Sequence, residues 1–264
     1  MYFDTHAHYD DEAFQEDRDA LVSGLPARGI SLVLNPGSDV SSSRQAVALA
    51  DRYSFLYAAV GVHPHEAGQM EASDLERLQE LSCHSKVMAI GEIGLDYFYN
   101  YSPREIQKEC FRRQMALAEQ NKLPAIIHDR EAHADCLEII RSFPNVRGVL
   151  HCYSGSLEMA KTLLDLGWFL SFNGAITFKN ARRAPEVIRY MPADRLMLET
   201  DAPYLTPTPY RGKRNDSGYL PLVAQAIAQI RDIPAEEVAA FTAENGKRLF
   251  GIPSQAGTRS SGLF

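Results

Sequence analysis

The sequence predicts an α/β fold, a (β/α)8 TIM barrel, and three observations carry that expectation. Eight short runs rich in Val, Ile and Leu recur, at 3–8, 30–35, 56–62, 87–93, 125–128, 148–151, 168–172 and 196–200. Several of the segments between them show helical periodicity. The first run leads into His6-Ala7-His8-Tyr9-Asp10, where an open doubly wound sheet would usually carry a Gly-rich phosphate turn.

Taken in order, each run reads as a buried strand and each following segment as a return. Between the third and fourth runs, Leu75, Leu78 and Leu81 lie at helical spacing, with Ser73 as candidate N-cap. After the fourth run, 105–123 carries an apolar stripe of Ile106, Cys110, Phe111, Met115, Leu117 and Ala118. Segments 158–166 and 221–230 read the same way. A closing helix over 234–250 has Gly251 just past its end. No repeat and no Pro/Gly/Ser-rich linker divides the chain. The expectation is one domain over 1–253, followed by a loosely held Ser/Gly-rich tail over 254–264.

Composition narrows the function classes. Hydrophobic residues make up 45% and charged residues 23%, which excludes wholesale disorder. A net charge of −7 argues against a nucleic-acid coat protein with a broad basic surface. It leaves room for an enzyme that handles a nucleic-acid end through metals and a small basic loop. The longest charge-free run, 166–178, contains Gly, Ser and Asn and is too short to span a bilayer, so no membrane partner is expected. No basic n-region and apolar h-region is visible at the start, so no signal peptide is expected. Cys83, Cys110, Cys136 and Cys152 form no C-x-x-C pair. The first three read as buried helix packing, and the cysteine usage points to a reducing, cytoplasmic location.

The chemistry sits where the runs end. His6 and His8 are two residues apart, so strand geometry puts both imidazoles on one face, together with Asp4. Glu92 ends the fourth run, His128 the fifth, His151 the sixth and Asp201 the eighth. Uncompensated charges at the ends of apolar strands would be costly, and a bound divalent ion removes the problem. Four imidazoles and two carboxylates exceed what one tetrahedral ion needs. They suit two ions, with Glu92 as a candidate bridge and Asp201 as the group that orients and deprotonates a water. Mg, Mn and Zn fit this donor set about equally.

These residues also carry a resemblance. His6-x-His8, Gly61-Val62-His63-Pro64-His65, Gly91-Glu92-Ile93-Gly94-Leu95-Asp96, His151-Cys152-Tyr153-Ser154-Gly155, Glu199-Thr200-Asp201-Ala202-Pro203-Tyr204 and Arg211-Gly212-Lys213-Arg214-Asn215 fall in one order across 1–251. In this the chain resembles the TatD family of metal-dependent hydrolases. The resemblance implies a TIM barrel of the metal-dependent amidohydrolase type and ligation by His6, His8, Glu92, His128, His151 and Asp201. It also implies a Mg-dependent deoxyribonuclease, often exonucleolytic from the 3′ end. Tyr153 stands where Phe is more usual, and Asp216-Ser217 replaces the more usual Glu-Pro.

Further candidates surround this set. His63 is a candidate contact to a substrate phosphate or leaving group, and Asp96 a candidate organiser of the adjoining loop. Glu199 shares the face of Asp201 by period two and is placed to orient a ligand. Arg211, Lys213 and Arg214 follow the eighth run, at the end of a barrel where phosphate sites form. Tyr97-Phe98-Tyr99 with Tyr101, and Tyr204 with Tyr210, either stack bases or pack against the rim. The leading expectation is therefore hydrolysis of DNA phosphodiesters at single-stranded ends. A second reading is hydrolysis of a carboxyl ester, lactone or amide, such as an aminoacyl ester on tRNA. A third is a metal-holding scaffold, against which the retention of all six ligands counts.

Overall fold

The computed structural model describes residues 1–253. The tail expected over 254–264 lies outside the described residues. Eight parallel strands pair in sequence order: β1 (Tyr2–Asp4), β2 (Ile30–Pro36), β3 (Leu56–Val60), β4 (Val87–Asp96), β5 (Ala125–Arg130), β6 (Gly148–Leu150), β7 (Phe169–Phe172) and β8 (Leu196–Leu198). Beyond the last strand the ring closes through backbone bonds. Thr5 N donates to Leu198 O at 3.1 Å, Asp201 N to His6 O at 2.9 Å and His8 N to Ala202 O at 2.8 Å. This is the expected (β/α)8 barrel.

The helices are α1 (Arg18–Gly24), α2 (Val40–Arg52), α3 (Ala72–Ser82), α4 (Arg104–Asn121), α5 (His133–Ser142), α6 (Leu157–Asp165), α7 (Ala184–Tyr190), α8 (Leu220–Arg231) and α9 (Ala235–Phe250). Among the described residues, no helix is long and apolar enough to cross a membrane. Sequence periodicity leaves α1, α2, α5 and α7 unassigned, because each is short or diluted by Ser and Arg. α2 is instead started by its cap, where Asp39 and Ser42 bond each other's backbone N–H. α3 starts two residues earlier than Ser73 suggests, capped by Glu71 and Asp74. In α4 the stripe is corrected at both polar and apolar positions. Gln107 and Gln114 are buried, whereas Ile106 is 45% exposed. Cys110 and Cys136 are buried as expected, but Cys83, just past α3, is exposed. α9 ends at Gly251, which takes the left-handed conformation at φ 65°.

One buried residue from each strand builds the interior: Phe3, Leu34, Ala59, Ala89, Ile126, Val149, Phe169 and Met197. α9 adds Ala243 and Phe250 and closes the strands' N-terminal end. There Asn245 Nδ2 donates to Leu196 O at 2.7 Å. Gly246 is needed at this contact, since a Cβ would stand 2.6 Å from Phe3 Cδ1. The plugged lower half leaves only the C-terminal end open for chemistry.

Candidate metal centre

His128 and His151 lie two residues beyond the interior Ile126 and Val149, and Asp201 lies four beyond Met197. Period two therefore carries all three to the mouth of the barrel. The other ligands break that rule. β1 stops at Asp4, so His6 and His8 follow the strand rather than ending it. His6 is three residues past the interior Phe3, and Glu92 is three past the interior Ala89. β4 runs on to Asp96, placing Glu92 inside the strand, with a register irregularity between Ile90 and Ile93. The bulged pairing turns Glu92 inward. Asp201 lies beyond the end of β8 and is left-handed at φ 58°, a conformation that Asp tolerates better than most residues.

The six side chains converge. His6 Nε2 lies 3.1 Å from His8 Nε2, 3.2 Å from Glu92 Oε2 and 3.8 Å from Asp201 Oδ1. His8 Nε2 lies 3.6 Å from Glu92 Oε2 and 3.7 Å from Asp201 Oδ1. A tetrahedral ion with ordinary bond lengths needs donor atoms about 3.3–3.6 Å apart, so these four atoms bracket the right spacing. The other carboxylate oxygen faces a second group. Glu92 Oε1 lies 2.7 Å from His151 Nε2, 2.8 Å from His128 Nδ1 and 3.5 Å from His63 Nε2. Glu92 thus offers one oxygen to each cluster, which is the geometry of a bridge.

The donor set fits divalent ions. The Nδ1 atoms of His6 and His151 are buried without a hydrogen-bond partner among the described residues, while both Nε2 atoms face the clusters. Burial of these rings is thus left uncompensated on one side and aimed at a shared point on the other. His8 is set for ligation by its backbone partner: Nδ1 lies 3.2 Å from Pro36 O and can donate there, leaving the Nε2 lone pair free.

Electrostatics follow the same layout. Burial opposes the charge on Glu92, but His151, His63 and His6 hold its pKa well below the usual carboxylate range. Asp201 is likewise lowered against its burial, chiefly through His8. Burial works against a charged His8, yet Asp201 and Glu92 lift it to about 9 in the metal-free protein. His63 goes the other way, pushed down to about 4 by burial, and stays neutral.

A second layer holds the rings. Asp96 Oδ2 accepts from His128 Nε2 at 3.1 Å and from His65 Nε2 at 2.9 Å, while Oδ1 accepts from Tyr99 N at 2.9 Å. Glu199 lies behind His151, its Oε1 3.7 Å from Nδ1. Its oxygens accept from Cys152 N, Ser171 Oγ and Asn173 Nδ2. Asp4 faces away from the ligands and ties the barrel's first and last strands together. It accepts from Thr200 N, Thr200 Oγ1 and Ser217 Oγ, and burial lifts its pKa to about 7.

Two supports escape sequence reading. Gln107 clamps Asp96 at both backbone atoms, and Asn35 holds Tyr9 N and Asp10. The available signal was a pair of glutamines, Gln107 and Gln114, seven residues apart on an otherwise apolar helix face. His63 is also closer to the centre than a substrate contact requires, since His63, Glu92 and His128 together could hold an ion.

At the rim, the basic loop divides. Arg214 is bound bidentately to Asp17, at 2.6 and 2.8 Å, and lies over Phe14, so the expected phosphate contact is already engaged within the protein. Arg211 and Lys213 are exposed and rest on the rings of Phe178 and Tyr210. Phe178 also lines a cleft of about 390 Å³ that runs from Cys152 and Asn173, beside the metal centre, to Arg182 and Arg183.

The sequence profile described as TatD related DNase matches residues 3–251. A Bacillus subtilis (strain 168) protein named as an uncharacterized metal-dependent hydrolase, YabD, is 44% identical over 96% of this chain and 100% of its own length. A protein of Erwinia tasmaniensis named 3′-5′ ssDNA/RNA exonuclease TatD is 35% identical over 95% of this chain and 100% of its own. The crystal structure of YJJV, a TatD homologue from Escherichia coli K12, superposes with a TM-score of 0.90 at 32% identity. It covers 96% of this chain and 98% of that one.

Proposed function

Because the chain belongs to the TatD related DNase family, we propose that this metal-dependent hydrolase shortens single-stranded DNA from the 3′ end by cleaving phosphodiester bonds. The observation that carries the reading is Glu92, whose two oxygens each face a separate nitrogen-rich cluster. The exonuclease name of the Erwinia tasmaniensis relative supports the substrate class.

In this reading His6, His8 and Asp201 would hold one divalent ion and His128 and His151 a second, with a Glu92 oxygen offered to each. Mg, Mn or Zn bound there would supply Lewis acidity toward a phosphoryl oxygen and a water acidified toward neutral pH. Asp201, held ionised beside His8, accepts the proton of the attacking water. His63 is neutral and buried against Glu92, so it offers a hydrogen bond rather than a charge. Arg211 and Lys213, with Arg182 and Arg183 along the adjoining cleft, offset phosphate charge. The local basic rim reconciles a net charge of −7 with an anionic substrate.

The test is turnover of 3′- and 5′-labelled single-stranded DNA by metal-stripped protein, with Mg, Mn or Zn restored. Immediate release of a 3′ label and a ladder from the 5′-labelled strand are expected. No shortening with ions bound and the fold intact overturns the reading in favour of other esters. Asp201→Asn is expected to abolish turnover, and wild-type rates in that variant would remove its proton-accepting role.

A further inference from the structure

The loop after β4 carries an exposed aromatic cluster that the metal chemistry does not use. Phe98 is 52% exposed, Tyr99 46% and Tyr101 69%. The alternative for these rings, packing against the rim, is met by Tyr97 alone. Tyr97 is half-buried, its hydroxyl donates to Asp135 at 2.6 Å and Arg104 covers its ring. Tyr99 and Tyr101 stack on each other, with centroids 5.3 Å apart and planes 21° from parallel. Arg130 lies over Phe98 at 4.1 Å and Tyr99 at 4.7 Å. Large rings left in water, pre-stacked and backed by a guanidinium, are what an unpaired base requires.

The cluster is also fixed to the reaction centre. Asp96 holds the Tyr99 backbone through Oδ1 and the ring of His128 through Oδ2. The same Oδ2 holds His65, whose ring packs edge-on against Tyr99 and Tyr101 at 5.4 and 4.8 Å. One buried carboxylate therefore sets both a candidate ligand and the aromatic rings. In an eight-stranded ring β4 lies opposite β8, so the aromatic cluster and the Arg211–Lys213 loop flank the centre from opposite sides. A strand crossing the mouth would meet basic groups on one side and stacking surfaces on the other.

We propose that Phe98, Tyr99 and Tyr101, backed by Arg130, form a shelf on which unpaired nucleobases of a single-stranded substrate stack, so that the enzyme selects strands whose bases are free. This inference rests on the phosphodiesterase reading for its substrate, and its test is independent of turnover. The probes are a phosphorothioate dodecathymidylate and the same backbone made abasic, with Kd measured by fluorescence anisotropy on the metal-loaded protein. Base–aromatic stacking predicts that Tyr101→Ala weakens binding of the thymidylate by about fivefold to a hundredfold. On the abasic strand the change should stay within about twofold, because that strand has no base to lose. Tyr101→Phe should restore binding, as stacking needs the ring and not the hydroxyl. Equal losses on both probes, or no loss on the thymidylate, would overturn the shelf. If wild-type protein shortens no oligonucleotide, the parent reading fails on turnover, while the base-dependent Kd still decides this one.

Discussion

Replacing Asp96 by Asn keeps the shape of the side chain and reverses two hydrogen bonds. Oδ1 of Asp96 accepts from Tyr99 N, and Oδ2 accepts from both His128 Nε2 and His65 Nε2. In the Asn variant the oxygen remains with Tyr99, so the NH2 group faces the two imidazoles. Each ring can then accept only if its proton moves to the other nitrogen. For His128 that nitrogen is Nδ1, which sits 2.8 Å from Glu92 Oε1 and faces the second cluster. A protonated Nδ1 has no lone pair for an ion. Loss of such an outer carboxylate weakens metal affinity about 10- to 100-fold, equivalent to roughly 1.4–2.8 kcal/mol. Calorimetric titration of metal-stripped protein with Mn reads this directly. On the proposed two-ion reading, binding at the His128 and His151 group should weaken while binding at His6, His8 and Asp201 holds. Affinity for both ions within twofold of wild type would refute the tautomer argument.

Other outcomes follow from the same geometry. Glu92→Gln removes the charge shared by both clusters, so the metal bound per chain should fall below the wild-type amount by elemental analysis, and turnover should drop at least about a hundredfold. In metal-free protein His8 is lifted to about 9 from an ordinary 6.5, so its charged form stabilises the fold fully below about pH 6.5. That contribution, on the order of 3 kcal/mol, is lost as pH rises toward 9, so Tm of the stripped protein should fall between pH 7 and 9. Metal binding displaces the same proton, so apparent metal affinity should climb over that window. A flat Tm profile in the stripped protein would contradict the His8 assignment. Arg211→Ala is expected to raise KM on oligonucleotides several-fold with kcat kept. Arg214→Ala should instead leave KM nearly unchanged and shift Tm little, as the ion pair with Asp17 is open to solvent.

Much of the candidate site was legible because a barrel converts sequence position into place. A polar residue at the C-terminal end of an apolar run, on the inward parity, has to reach the mouth, and His128 and His151 needed nothing more. Glu92 was legible as a residue but not as a position. Its inward turn comes from an irregular β4–β5 register, which depends on both strands and on no local signal. Asp4 is the reverse case. Its spacing from His6 and His8 suggested a shared face, but Thr200 and Ser217, some 200 residues away, draw its carboxylate into the seam of the barrel.

The basic loop shows the same division. Sequence placed Arg211, Lys213 and Arg214 together, and only the folded chain brought Asp17 to Arg214 and left the other two in water. The aromatic run after β4 was likewise ambiguous until exposure separated Tyr97 from Phe98, Tyr99 and Tyr101. By itself the sequence determined the fold class, the family and the chemical identity of the donors, because these follow from periodicity and residue type within short windows. The tertiary structure alone decided which oxygen of Glu92 faces which imidazoles, which carboxylate holds which ring and which cations are free. Those depend on contacts between residues far apart in the chain, where distances of a few tenths of an ångström separate a ligand from a structural partner.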